Sequence, residues 1–404
     1  MRLSTNAIYA LNVQSIQSQQ SRVTDIGEQL ATGRRINAPS DDPRGAAQLL
    51  NLQQSQQANE QFGDNRASAQ RQISNQLSYL DSAGEALDSA KSNLVRAANG
   101  TLNDADRASL ADELEGALNQ VTGSANARDA SGNYMFSGFE TNTRPFDADN
   151  GYAYAGDAGQ RNLQIDGSRD MSLNTAGSNI FASTTATADY VPNESADNDG
   201  TGRLGSIRVD DGSADDFGDS FSVAFSQDAD AGTTYSVINE TTGETISADQ
   251  AFSPGQRIAL GDGLSVDIKG TPADGDSYSF AKGDPEDSNI LAGLSDVIDR
   301  LREPASGEAG RARQDNAIGR ANRQVNNALD NIFSQQSQMG AQLNEIDSLD
   351  AAAGTRSVES ERQISDLRDV DMTRAISDFS LSRTALQAAR STFNQISQMG
   401  IFGQ

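Results

Sequence analysis

Residues 372–396 read MTRAISDFSLSRTALQAARSTFNQI, and their spacing decides the fold. Met372, Phe379, Leu386 and Phe393 stand seven apart, with Ala375, Ser382, Ala389 and Ile396 repeating at the same interval beside them. A sustained seven-residue repeat lays one narrow stripe of a helix against a partner helix. The opposite end of the chain carries a companion, a helix expected from about Ser4 to Ala31. Along it Tyr9, Asn12, Ile16, Gln19, Val23, Ile26 and Leu30 follow one another at spacings of three and four. That is again a seam, weakly apolar at its start.

Working inward, Gly33 ends the first helix and RRINAPSDDPRG (34–45) is an irregular link. Asp41 or Asp42 is the expected N-cap of the next helix, with Pro43 at the first helical position, where its missing N–H is no loss. That helix is expected to run to about Ala98, with Ile73, Leu77, Leu80, Leu87 and Leu94 on its stripe, and Asn99-Gly100 stops it. A shorter helix follows from about Asp104 to Ala127, with Leu110, Leu114, Leu118, Val121 and Ala125 on one face. The last third mirrors this arrangement. An amphipathic helix is expected over 288–301, ended at Pro304, and a long one over about 311–366 with Val325, Leu329, Ile332, Met339, Leu343 and Ile346 on its seam.

The middle is different. Stretches 134–138, 151–156, 161–166, 206–210, 220–225, 233–239, 264–270 and 277–281 alternate apolar with polar residues between Gly and Asp turns, the pattern of strands with one wet face. The expected fold class is therefore α+β. Both termini build a long antiparallel helical rod or coiled coil, with a β-hairpin region and an inserted β domain outboard. The expected divisions are 1–40, an inner helix; 41–182, the first half of the rod with the hairpin region; 183–286, the inserted domain; 287–367, the second half of the rod; and 368–404, a second inner helix.

Composition narrows function. The chain of 404 residues carries a net charge of −26 and contains no His, Cys or Trp. Such acidity repels nucleic acid and anionic membrane surfaces, so neither is an expected partner. The absence of His and Cys removes the Ser–His–Asp and Cys nucleophile chemistries and the common zinc sites. Catalytic residues, metal ligands and cofactors are all expected to be none. Asp197, Asp199, Thr201 and Gly202 imitate the first half of a calcium loop, but Arg208 stands where a bidentate Glu is required. No stretch reaches the length of a membrane span, and the opening MRLSTNAIYALNVQS lacks the apolar core of a cleavable secretory signal.

Charge is unevenly placed. Residues 183–285 hold 19 acidic and 5 basic side chains, whereas 369–404 hold three of each. Leu, Ile, Val and Phe together number only 76, so apolar surface is scarce and the seams at the ends need partners. Near-neutral ends can pack against copies of themselves while an acidic β module faces water. A coiled-coil repeat does not name its partner, however, and an intramolecular two-helix coil satisfies the same pattern.

The words along the chain resemble the bacterial flagellin superfamily. LATGRRINAPSDDPRGAAQ (30–48) is similar to its signature between the innermost helix and the rod. AANGTLNDADRASLADEL (97–114) is similar to the turn and helix beyond, and 364–396 to its terminal assembly helix. Within that superfamily GNYMFSGFETNTRPFD (132–147) resembles the hook–filament junction branch, through Tyr134, Phe136, Gly138, Thr141, Pro145 and Phe146. Residues of about 184–286 have no counterpart in shorter members.

The resemblance implies a secreted, extracellular structural subunit of the bacterial flagellum, not an enzyme, that leaves by type III export. It implies a homo-oligomer forming a ring-like layer, with the other hook-associated junction protein and filament flagellin as neighbours. A cytosolic export chaperone would hold the C-terminal helix. Carried onto this chain, the self-assembly interface comprises Leu3, Ile16, Val23, Ile26, Leu30, Met372, Phe379, Leu386, Phe393 and Ile396. Arg34, Arg35, Asn37, Asp41 and Asp42 would form a spoke joining inner and outer layers. Tyr134, Phe136, Gly138, Pro145 and Phe146 would mark the hairpin motif, and the aromatics at strand spacing, Phe136, Phe139 and Phe146, would with Pro145 pin that hairpin onto the rod. The other readings are a short filament flagellin, or a secreted adhesin or glycan-binding protein acting through the inserted domain.

Overall fold

The computed structural model describes residues 5–182, 190–195, 197–228, 232–282 and 289–398, and within these not the side chains of 5–9, 191, 206, 282 and 396–398. Seven α-helices stand among the described residues: α1 (Thr5–Thr32), α2 (Pro43–Ala97), α3 (Asp104–Ala125), α4 (Ser178–Phe181), α5 (Ile290–Arg302), α6 (Gly307–Arg368) and α7 (Met372–Gln398). Ten strands lie between α3 and α5: β1 (Asn162–Asp166), β2 (Arg169–Ser172), β3 (Tyr190–Glu194), β4 (Arg203–Val209), β5 (Phe221–Asp228), β6 (Gly232–Asn239), β7 (Glu244–Ala251), β8 (Arg257–Ala259), β9 (Leu264–Lys269) and β10 (Ser277–Lys282). The α+β class is as expected. The chain divides into two compact units, one of 1–66 with 347–404 and one of 67–346.

In the second unit the buried face of α2 is built on Ala69, Ile73, Gln76, Leu80, Ala83, Leu87, Ala90, Leu94 and Ala97, spaced alternately four and three apart, with Ala86 and Asn93 buried beside them. Gln76, not Leu77, holds the seam position, and its side-chain amide donates to the Leu173 carbonyl at 2.6 Å. Antiparallel α6 supplies Ile332 and Gln336, the latter donating to Asp81 at 2.7 Å. The expected face of α3 is buried throughout. Its partner is α5, which buries Ile290, Leu291, Leu294, Val297, Ile298 and Leu301. Asn103 and Asp106 close a capping box at the start of α3, satisfying two backbone N–H groups there. Arg302 ties α5 to Asp112 at 2.9 Å and Glu115 at 2.7 Å.

The strands form a five-stranded sheet ordered β3-β10-β5-β6-β7, a three-stranded sheet β4-β9-β8 and the β1-β2 hairpin. All pairings are antiparallel. The first two sheets share one core, including Tyr190, Phe221, Phe225, Ile258, Val266 and Phe280, every member of which comes from within 190–280. This inserted domain meets α6 through Asn316, which donates to Glu194 at 2.6 Å and accepts from the Leu204 backbone at 2.9 Å. Arg203 pairs with Asp315 at 3.1 Å beside it.

Two expected strands are not strands. Residues 134–138 and 151–156 make only the single bridges Arg128↔Tyr134 and Phe146↔Tyr154. Tyr134, Met135, Phe136, Ser137 and Gly138 are buried in succession, which a strand with alternating faces cannot achieve. Gly138 at φ +75° and Tyr152 at φ +62° bend the chain out of extended geometry. The hairpin of this region is β1-β2 instead. The expected motif Tyr134, Phe136, Gly138, Pro145 and Phe146 is a loop core, and Phe139, expected to pin it, faces solvent instead because Gly138 turns the chain just before it.

Candidate assembly site

In the first unit α1 and α7 pack against each other. Asn12, Ile16, Gln19, Val23, Ile26 and Leu30 of α1 are half-buried, as the spacing requires. Facing them are buried Ala375 and half-buried Phe379, Ser382, Leu386, Ala389 and Phe393. Gly27 lies against the Phe379 ring, where an added Cβ would stand 3.6 Å from it. Arg390 reaches Gln20 at 3.3 Å across the pair. Met372 is not in this seam and stands 48% exposed. Leu3 lies outside the described residues, as does the side chain of Ile396. Sequence spacing did not single out the apolar residues off the seam: Leu11 is 57% exposed, Ile376 56% and Leu381 67%. A period search discards residues between the stripes, so the signal that marks them is hydrophobicity without periodicity.

The links between helices clasp each other. Arg34 bridges Asp369 in antiparallel fashion, the Arg35 amide donates to the Arg368 carbonyl at 2.6 Å, and the Val370 amide donates to the Gly33 carbonyl at 3.0 Å. The Arg35 guanidinium donates to the Leu367 carbonyl at 2.7 Å and to Asp42 at 3.3 Å. Gly33, at φ +71°, makes the turn that admits this ladder. Asp42 is the N-cap of α2, its Oδ1 accepting from the Gly45 amide at 3.0 Å. Asp41 accepts from the Asn37 and Ala38 amides at 3.0 and 2.8 Å. The Asn37 carboxamide accepts from Thr32 at 2.9 Å.

These contacts shift the acids. Hydrogen bonds from Ala38 and Asn37 hold the Asp41 carboxyl below the usual range, and the bond from Gly45 does the same for Asp42. Arg368 and Ser365 depress Asp369. Of the expected spoke residues, Arg35, Asn37, Asp41 and Asp42 thus build the link itself, while the Arg34 side chain stays exposed. Below this clasp Asn59 donates to the Ala353 carbonyl at 3.2 Å and buried Arg66 pairs with Asp350 at 2.5 Å, joining α2 to α6.

In the second unit the loop core is aromatic. Phe136 and Phe146 each meet Phe181 of α4 edge-on, at centroid distances of 6.1 and 5.8 Å, and Tyr154 tilts onto Phe146 at 5.4 Å. Burial pushes the Tyr154 phenol up to about 12, and its hydroxyl lies 2.9 Å from the Phe136 carbonyl. Asn126 pairs with the backbone of Phe146 in both directions, at 2.8 and 3.0 Å. Pro145 is buried beside it. Among the described residues no group of three or more acids could hold a metal ion.

The helical ends define a flagellin-type protein. The family model for the bacterial flagellin N-terminal helical region matches residues 3–141, and that for the C-terminal helical region matches 323–401. The flagellar hook-associated protein 3 of Escherichia coli (strain K12) is 30% identical over 403 residues, spanning 100% of this chain and 99% of that protein. The solved flagellar hook associated protein-3 from Legionella pneumophila covers 78% of this chain and 98% of its own, at 25% identity and a TM-score of 0.69. The structure of Xanthomonas campestris FlgL covers 78% and 99%, at 26% identity and a TM-score of 0.67. The chain belongs to the flagellar hook-associated protein 3 family, whose members are structural, flagellin-like components of the flagellum.

Proposed function

We propose that this chain joins the flagellar hook to the filament by polymerising, with the α1–α7 pair as its inner contact. The supporting observation is the state of that pair. Its seam is only half-buried along nearly its whole length, and Leu11, Ile376 and Leu381 stand exposed beside it. Two helices alone cannot cover an apolar surface of that breadth, and apolar surface left in water favours association. Ile16, Val23, Ile26, Leu30, Phe379, Leu386 and Phe393 pair α1 with α7 inside one copy. The outward residues then meet neighbouring copies. The inner segments 1–40 and 368–404 would serve assembly, and 183–286 would face solvent.

The proposed partners are further copies in a ring-like layer, the other hook-associated junction protein on one side and filament flagellin on the other. Before secretion, a cytosolic chaperone would cover the C-terminal helix. The test is genetic and visible. Cells lacking this chain should build hooks yet release unassembled filament protein into the medium. Long filaments persisting on such cells would refute the junction reading, and a chain that makes up the bulk of filament mass would point to a filament flagellin.

A further inference from the structure

Phe139 is an exposed aromatic on a tethered backbone. It is 63% exposed, yet its amide donates to both Asp157 oxygens at 2.9 and 3.0 Å. The same carboxylate accepts from the Glu140 amide at 2.8 Å and the Gly159 amide at 2.5 Å. The ring lies so close over Gly159 that any side chain there would overlap it. A backbone fixed in advance loses little freedom on docking, which is how aromatic anchors gain affinity. Beside it the Glu140 carboxylate accepts only the Thr143 hydroxyl, at 3.1 Å, and no ion pair among the described residues.

A matching recess exists on the same chain. A cleft of about 290 Å³ opens at the start of α2, lined about equally by apolar groups, among them Ile36, Leu49 and Leu50, and by polar ones, among them Asn37, Arg34 and Arg368. That volume suits one side chain and is small for a cofactor. Leu50 is 55% exposed within it. Arg368 is taken by Asp369 at 2.8 Å. Arg34 is exposed and makes no ion pair among the described residues, acting on Asp369 only through its field.

We propose that Phe139 of one copy seats in this cleft of a second copy, with Glu140 against Arg34. The occupant is a second copy because both halves of the match, an exposed ring beside a carboxylate that makes no ion pair among the described residues and a half-apolar recess beside a guanidinium that makes none either, are carried by one sequence. The contact is heterologous, joining different patches on the two copies, and so propagates into a ring or helix instead of closing as a dimer. It rests on the polymerising reading above and adds to it a contact outside the terminal helices.

Two measurements test it on full-length chain driven to polymerise. A p-benzoylphenylalanine placed at position 139 and irradiated in the polymer should cross-link to the peptide of another copy that contains Leu49 and Leu50, read by mass spectrometry. Separately, Arg34→Glu or Glu140→Arg should each raise the concentration needed for polymer growth by about threefold or more, the size of an exposed ion pair. The double variant should return it to the wild-type value, which a merely structural role for either residue would not produce. Polymers whose cross-links fall elsewhere, or a double variant no better than the singles, overturn this contact and leave assembly through the helices standing. A wild-type chain that never polymerises overturns both.

Discussion

Asp157 shows how one residue organises a loop. Its carboxylate gathers three backbone amides, chiefly that of Phe139, and these hold its pKa below the usual range. Gly138 is the other half of the arrangement, since at φ +75° an added Cβ would run into Asp157. Gly138→Ala is expected to cost about 1–3 kcal/mol in urea unfolding of the whole chain, through backbone strain and a broken carboxylate cradle. A midpoint unchanged from wild type would show that the loop bends without strain.

The acids of the clasp follow the same rule and give a pH dependence. Asp41, Asp42 and Asp369 have lowered pKa values, so the charged form is favoured by folding. The unfolded chain then binds more protons, and stability is fully present above the ordinary carboxylate pKa and lost as pH falls through the depressed values. Hydrogen-exchange protection of the Asn37, Ala38 and Gly45 amides should persist at pH 5 and above and disappear between about pH 4 and about pH 2. Protection surviving at the lower limit would mean that neutral acids or other groups hold the link.

At the scale of elements, the two terminal helices separate two kinds of apolar residue. Leu386 lies in the seam with α1, whereas Ile376 and Leu381 face away from it. Leu386→Asp introduces a carboxylate into a half-buried seam and should unpair the helices, lowering helical signal in circular dichroism as well as assembly. Leu381→Asp and Ile376→Asp should leave the helical signal of the monomer intact and abolish polymer growth, read by sedimentation. If both classes of variant assemble normally, the inner contact lies elsewhere. The seam of α6 repeats the lesson of Gln76 in α2. Leu343, expected there, is half-buried, and polar Gln314, Gln324 and Asn331 are buried instead. Polar residues at such positions fix register through specific bonds, as Gln314 does to the Arg300 and Glu303 carbonyls, both at 2.9 Å.

For the whole molecule, the inserted β domain owns its core and meets the helical body through a few polar contacts around Asn316. Burial raises the Glu194 and Asp315 carboxyls there, so this junction is not held by strong ion pairing alone. Joining 182 to 289 through a short flexible linker should leave the helical body folded and able to polymerise, checked by circular dichroism and electron microscopy. Loss of motility with assembly intact would assign the insertion a separate task at the cell exterior. Loss of assembly itself would place the insertion among the subunit contacts.

The sequence by itself determined the elements whose cause is local. The seven-residue repeats marked both terminal helices, Pro43 marked the first residue of α2 with the cap left between Asp41 and Asp42, and alternation placed β6, β9 and β10 to within a residue and the start, though not the end, of β5. It missed the short strands β2, β3 and β8 and the edge strand β7, whose ETISADQA presents almost no buried face, and it drew strands over 134–138, where five successive residues are buried, and over 151–156, where Tyr152 at φ +62° breaks the extended geometry. Only the tertiary structure decided that α1 pairs with α7 in one copy, that the links at 33–35 and 367–370 clasp, and that Phe139 stands out from a clamped loop. Each depends on groups distant in sequence meeting in space, and a periodicity states which face is apolar without stating what covers it.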